Sequence, residues 1–122
     1  MSVNEIAQEY VAYVKAGRFL ELLERFYAAE AVSVEAAAMP GQERAAAGLE
    51  ALKAKSQGFD AEHEVTRAEV LGVWPHGEEK FAVHMVFEMI HTPTKHRRVM
   101  DEIAVLTVQD GKIVKEEFFY AS

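Results

Sequence analysis

The stretch from His96 to Tyr120, HRRVMDEIAVLTVQDGKIVKEEFFY, holds the strongest local signal in the chain. Two apolar-rich runs, Arg97–Gln109 and Lys112–Tyr120, flank Asp110-Gly111. An Asp-Gly pair in that setting marks a two-residue hairpin, because both central turn positions need a left-handed backbone that these residues tolerate. Such a turn also sets the register. It places Gln109 opposite Lys112, Val105 opposite Glu116, Ile103 opposite Phe118 and Asp101 opposite Tyr120. Val99, Asp101, Ile103, Val105 and Thr107 then share a face with Val114, Glu116, Phe118 and Tyr120, and this face is assigned inward. The other face carries Met100, Ala104, Leu106, Val108, Ile113 and Phe119, with Glu102, Lys115 and Glu117 among them. A slip of one residue would turn Asp101 and Glu116 out and Glu102 and Glu117 in.

Upstream, the same period-two reading finds two more long strands. Lys80–Thr92 carries Phe81, Val83, Met85, Phe87 and Met89 on one face, which goes to the core. Ala82, His84, Val86, Glu88 and Ile90 form its mixed outer face. His63–Trp74 precedes it, closed by Pro75-His76-Gly77. Before Gly58 the pattern is helical. Ser2-Val-Asn-Glu5 fits a capping box, and Val3, Ile6, Ala7, Tyr10, Tyr13 and Val14 make one stripe at helical spacing. Gly17 stands where a left-handed residue ends a helix. A second helix turns Phe19, Leu22, Leu23 and Phe26 inward. A short strand over Ala31–Glu35 follows, then a break at Met39-Pro40-Gly41 and a third helix from Ala45 to Gln57. The layout is α+β, with three helices on one face of a strongly curved antiparallel sheet.

The 122 residues suit one domain over 1–122, and a chain of this length buries roughly two-thirds of its unfolded surface. Lys and Arg number 13 against 20 Asp and Glu, a net charge of −7 that disfavours nucleic acid or an anionic membrane as partner. With no cysteine, disulfides, thiolate catalysis and Cys-based metal sites are excluded. No signal-peptide pattern opens the chain and no apolar run approaches the ~18 residues of a membrane span, so a cytoplasmic location is expected. Both sheet faces are apolar-rich, and helices from a short chain cover only one. The expected closure is a homodimer through the outer sheet face; the alternative is a monomer with a half-polar surface.

Several local strings, taken in order, resemble the SnoaL-like branch of the NTF2-like superfamily, which includes ketosteroid isomerases, limonene epoxide hydrolase and polyketide cyclases. They are Glu9-Tyr10-Val11-Ala12 with Ala16-Gly17, Glu24-Arg25-Phe26-Tyr27-Ala28 leading into Ala31–Glu35, and Asp110-Gly111-Lys112-Ile113-Val114. The resemblance runs nearly end to end. It implies an NTF2-like (cystatin-like) cone, a curved sheet wrapped on the helices with a pocket at its open end for a small apolar organic ligand. It also implies cofactor-free acid–base chemistry of the isomerase, cyclase or hydrolase type, or else a non-catalytic ligand-binding or dimeric interaction protein. The carboxylate base that follows the first strand in ketosteroid isomerases falls on Glu35, and their helix-one tyrosine on Tyr10. Their neutral aspartate falls near Ile103 or Ala104, where this chain has no acid; Asp101 stands about one pleat away.

The catalytic candidates are thus Glu35, Asp101 and Tyr10. Glu35 reads either as a general base in an apolar setting or as an exposed acid at a strand end. Asp101 facing Tyr120 reads either as catalytic or as a buried structural pair. Glu116 is a third inward acid, and close carboxyls push each other's pKa values apart. Tyr13, Trp74, Met85, Phe87, Glu116, Phe118 and Tyr120 complete the expected pocket lining, the large apolar ones as core or cavity wall. His63, His76, His84, His91 and His96 form no metal-ligand spacing, and no metal is expected. Lys95-His96-Arg97-Arg98 reads as a solvated loop, or as a grip on an anionic group at the pocket mouth. No phosphate-binding glycine loop or nucleophile elbow occurs.

Overall fold

Helical periodicity becomes structure first at the N-terminus. In the computed structural model, which describes residues 1–38 and 43–121, Val3–Lys15 forms helix α1. Ser2 Oγ accepts from the Glu5 amide at 3.2 Å, and the Glu5 carboxylate accepts from the Ser2 amide at 3.0 Å. Two free amides are thereby satisfied where the helix begins. Every residue of the expected stripe is buried, and Gly17 ends the helix at φ +71°. Helix α2, Phe19–Phe26, buries Leu22, Leu23 and Phe26.

Strand β1, Tyr27–Val34, starts earlier than the sequence suggests, because Tyr27 is already extended where α2 ends. The expected break at Met39-Pro40-Gly41 lies outside the described residues. The alanine run that follows does not begin a helix. Ala45–Ala47 forms β2, antiparallel to Val32–Val34. Alanine's helical preference is overridden by ladder positions beside β1 and by Gly48, whose φ of +95° breaks the helical path. Helix α3 therefore spans Leu49–Glu62 and buries Leu52, the light packing of an element laid over an edge.

The strands β3 (His63–His76), β4 (Lys80–His91), β5 (His96–Gln109) and β6 (Lys112–Phe119) complete the sheet. Among the described residues it has six strands in the order β2-β1-β6-β5-β4-β3. It is antiparallel except where β1 lies parallel to β6. Bulges interrupt the β1–β6, β3–β4 and β5–β6 ladders, and each adds bend and twist. The helices sit on the concave side. Phe81, Val83, Met85, Phe87 and Met89 of β4 are buried against them, as the alternation requires.

Asp110 (φ +51°) and Gly111 (φ +75°) both adopt the left-handed turn, and Gln109 faces Lys112. Beyond that pair the register departs from expectation. Val108 pairs with Ile113 while Thr107 pairs with Lys115, so Val114 is an extra residue in the ladder. From there Leu106 faces Glu116, Val105 faces Glu117 and Ala104 faces Phe118. The bulge lets Ile113 and Glu116 both turn inward. Independently of it, β5 buries the face expected to be outward, the one that Val108 shares with Ile113. Glu102, Ala104, Leu106 and Val108 are buried, whereas Val99 and Ile103 are exposed. Asp101, paired with Val86 of β4, lies on the convex face, its side chain 66 % exposed, bonded to His84 Nε2 at 2.7 Å. The expected Asp101–Tyr120 pair does not form.

Trp74 also belongs to the convex face. It pairs with Ala82 on the outer side of β4 and is 55 % exposed, so it is not a pocket wall. Its ring covers Gly72, where any Cβ would collide with it.

Alanine at Gly111 would have to hold φ near +75°, which costs about 1 kcal/mol. Urea unfolding of Gly111→Ala is expected to give a free energy lower by about that amount, with an unchanged far-UV spectrum. A neutral or stabilising result would count against this turn conformation.

Candidate functional site

Strand β1 sends Ala31 and Ser33 to the concave side at period two, and Glu35 continues that series just past the strand end. Ala31 and Ser33 are fully buried; the Glu35 side chain is 20 % exposed. On α3, Lys55 lies one turn beyond the buried Leu52 and so on the same helix face. Its ammonium forms an ion pair with Glu35, donates to Ser33 Oγ at 3.3 Å and lies 5.7 Å over the Phe118 ring.

Deeper in, Ser33 donates to Glu116 Oε2 at 2.6 Å and the Tyr27 hydroxyl donates to Glu116 Oε1. Tyr27 also meets the Tyr10 hydroxyl. At the outer end the Tyr120 hydroxyl donates to Glu35 Oε2 at 2.9 Å. A polar chain thus runs from Tyr10 through Tyr27, Glu116, Ser33, Lys55 and Glu35 to Tyr120. Glu102 projects from β5 toward the same concave face.

Burial differentiates these groups. It raises the Glu116 carboxyl above its usual range, against the pull of the Ser33 and Tyr27 hydrogen bonds and of Lys55. It lifts Glu102 to about 7, with the charges of Glu35 and Glu116 adding and Lys55 opposing. The Tyr120 phenol is pushed up to about 12 by burial and then by its bond to Glu35. Burial and the Glu116 charge hold Tyr10 and Tyr27 well above the ordinary phenol range. The arrangement has the elements of acid–base chemistry: a carboxylate with an ammonium beside it, and a second carboxyl that exchanges its proton near neutrality.

Of the residues expected from sequence, Glu35, Tyr10, Glu116, Phe118 and Tyr120 are brought together. Met85 and Phe87 lie on the inner face of β4 behind them. Asp101 and Trp74 are on the opposite side of the sheet. Tyr13 is placed elsewhere: its hydroxyl accepts from Arg25 at 2.8 Å and its ring stands edge-on to Phe26, with centroids 5.5 Å apart. It therefore belongs to the α1–α2 seam.

Sequence reading missed Glu102 as a site residue, and it missed Lys55, Ser33 and Tyr27. Lys55 carried a signal, the i, i+3 spacing from Leu52, and Ser33 shares parity with Ala31 and Glu35. A recess of about 380 Å³ at the far end of α1, lined by Lys15, Phe19, Asp60, His63 and Arg67, is bordered by none of the predicted site residues. Among the described residues no group of three His, Asp or Glu is placed to hold a metal ion, and no helix is long and apolar enough to cross a membrane.

The family model of the SnoaL-like domain matches residues 1–120. The chain belongs to the SnoaL-like family. A candidate SnoaL-like polyketide cyclase from Mesorhizobium loti, also named a carbohydrate phosphatase, is similar to this SnoaL-like protein with 35 % identity and a TM-score of 0.88 over 98 % of this chain and 100 % of that one. A candidate polyketide cyclase from Xanthomonas campestris pv. campestris has 17 % identity and a TM-score of 0.76, covering 97 % of this chain and 89 % of that one. A protein of unknown function with a cystatin-like fold from Xanthomonas campestris has 16 % identity and a TM-score of 0.78, covering 100 % and 92 %. These likenesses establish the NTF2-like, cystatin-like fold. None of the curated proteins matches the chain.

The Glu102 carboxyl sits at about 7 in the folded SnoaL-like protein against an ordinary 4.5. The folded chain therefore holds this proton more tightly than the unfolded chain. Stability contributed by this group falls as pH rises from about 4.5 through about 7. At ~1.36 kcal/mol per pH unit the full loss is about 3 kcal/mol. Glu102→Gln should recover up to that amount at pH 8 and almost none at pH 4.5, read by urea unfolding at both. An equal change at the two pH values would refute the assignment.

Proposed function

We propose that this SnoaL-like protein binds a small organic molecule with an apolar body at the concave face and performs cofactor-free acid–base chemistry on it, of the isomerase, cyclase or hydrolase type. The observation that carries this reading is Glu102. It is a carboxyl 8 % exposed and held near neutrality, on the same face as a carboxylate that has its own ammonium and phenol partners. In the proposal Glu35 is the base, oriented by Tyr120. Glu102 takes the place expected of Asp101 and meets the ligand's polar atom. Tyr10, acting through Tyr27, helps to fix Glu116, and Met85, Phe87 and Phe118 supply apolar wall. The neighbour named as a polyketide cyclase supports including ring closure in the range of reactions, and a cytoplasmic setting completes the reading.

A homodimer is part of the same proposal. Leu71, Trp74, Val99, Ile103 and Phe119 are exposed; apart from the bulged Leu71, they lie on the convex face, and an apolar surface of that kind is usually an interface. A second reading, ligand binding without chemistry, is favoured by the closed contacts of Glu35 with Lys55 and Tyr120, which resemble a structural ion pair.

Native mass spectrometry of the purified protein should give a dimer that retains a small organic molecule. Incubating the recovered molecule with the protein in D₂O should then place deuterium at a carbon beside its polar group. Glu35→Gln should slow that exchange by roughly 10²–10⁴-fold while leaving the ligand bound. Equal exchange with the variant would leave binding alone as the function.

A further inference from the structure

Glu102 is the carboxyl on the concave face that lacks a protein partner. Glu35 is engaged by Lys55 and Tyr120, and Glu116 by Ser33 and Tyr27. Among the described residues no hydrogen bond reaches Glu102, although the residue is only 8 % exposed. Its oxygens are nevertheless not sealed in. The buried side-chain polar atom without a partner among the described residues is His63 Nε2, on another part of the sheet, and not an oxygen of Glu102. A largely buried carboxyl whose oxygens keep some solvent contact and have no protein partner is a group that a ligand can still satisfy.

The charges around it decide what that partner is. Glu35 from the end of β1 and Glu116 from β6 act on Glu102 as like charges, and Lys55 from α3 is the opposing cation. Tyr120, Tyr10 and Tyr27 face the same cluster as uncharged phenols. Lys55 is already committed to Glu35 and Ser33. A ligand carboxylate or phosphate would add negative charge where, among the described residues, the cation acting on Glu102 is already engaged. A protonated amine supplies N–H donors to the open oxygens and offsets the surplus of negative charge. Beside it, Phe118 already has an ammonium over its ring, so the aromatic wall is compatible with positive charge.

Resting on the reading of the concave face as a ligand site, we propose that its ligand carries a primary or secondary amine on an apolar body, with Glu102 as the counter-ion. The amine is then the polar atom that Glu102 meets, and Glu35 with Tyr120 is left free for proton transfer elsewhere on the molecule. Binding a cation makes Glu102 give up its proton, so complex formation near pH 7 releases protons. A ketone held at the same place would do the reverse, keeping Glu102 protonated and drawing protons in.

Calorimetry on the full chain separates these cases. 2-Phenylethylamine, 2-phenylethanol, phenylacetone and phenylacetate are titrated at pH 7 in two buffers of different ionisation heat. The amine is expected to bind at least tenfold more tightly than the alcohol, with proton release, and the carboxylate to bind most weakly. Glu102→Gln should abolish the amine's advantage while leaving the alcohol's affinity within twofold. Tighter binding of the ketone with proton uptake, or of the carboxylate, overturns the amine and leaves the ligand site standing. If none of the four compounds binds, both the amine and the ligand-site reading fall.

Discussion

The unpaired residue Val114 governs which carboxyls share the concave face. Side chains in a strand alternate with period two, and an extra residue on one strand changes which partners share a face. Without the bulge, the tight Asp110-Gly111 turn would put Glu116 opposite Val105 and on the same face as Asp101. With it, Ile113 and Glu116 both point to the core and Glu116 stands opposite Leu106, on the same face as Glu102. The turn fixes where the hairpin starts; the bulge fixes which β6 side chains join the buried face of β5. The candidate site is in this sense a property of the ladder, and the helices enclose what the ladder has already chosen.

Three carboxyls on one largely buried face would be costly if all were charged and bare. The protein resolves the cost in three different ways. Glu35 has an ammonium and a phenol. Glu116 receives two hydroxyl hydrogen bonds. Glu102 keeps its proton up to about pH 7. The charge of Glu35 raises the proton affinity of both Glu102 and Glu116, and that of Glu116 raises Glu102 further, so the protonation of Glu102 and Glu116 is coupled. Lys55 is the counterweight that acts on both Glu102 and Glu116. Stability comes from elsewhere, from the apolar rows formed by Phe81 with Leu106 and Val83 with Ala104, whose side chains are almost wholly buried.

What could be read from the sequence follows from where local rules decide the structure. The capping box at Ser2, the α1 stripe, the inward face of β4 and the Asp110-Gly111 turn are each set by spacing within one element, and each is found as expected. The resemblance carried Glu35 and Tyr10 to the site for the same reason: both sit at fixed offsets in elements whose order is shared. The failures are non-local. Both faces of β5 are apolar-rich, so alternation alone does not say that the Glu102 face rather than the Asp101 face is buried, and no pattern in Lys112–Tyr120 announces that Val114 is squeezed out of the ladder and brings Glu116 to the Glu102 face. Ala45–Ala47 reads as helix until β1 offers it an edge. Tyr13 carries the same helical spacing as Tyr10, yet α2 claims its ring and Arg25 its hydroxyl. Trp74 goes outward because it pairs with Ala82 on the outer face of β4, and Gly72 leaves room for its ring.

The way α3 is held bears on how far the family resemblance can be carried. This helix buries Leu52, and its cation bridges Glu35, Ser33 and the Phe118 face. The contacts that seat the helix are therefore also the contacts that set the charge of the site. A change at Lys55, Glu35 or Glu102 would alter the charge of the candidate site while the sheet, with its apolar rows intact, kept its shape. The Mesorhizobium loti structure shares that shape at a TM-score of 0.88 with 35 % identity, which leaves ample room for such changes. Fold is spread over many apolar positions, whereas the reaction depends on a few polar ones grafted onto them. In this SnoaL-like protein the polar positions of that kind at the candidate site are Glu102, Glu35, Glu116 and Lys55.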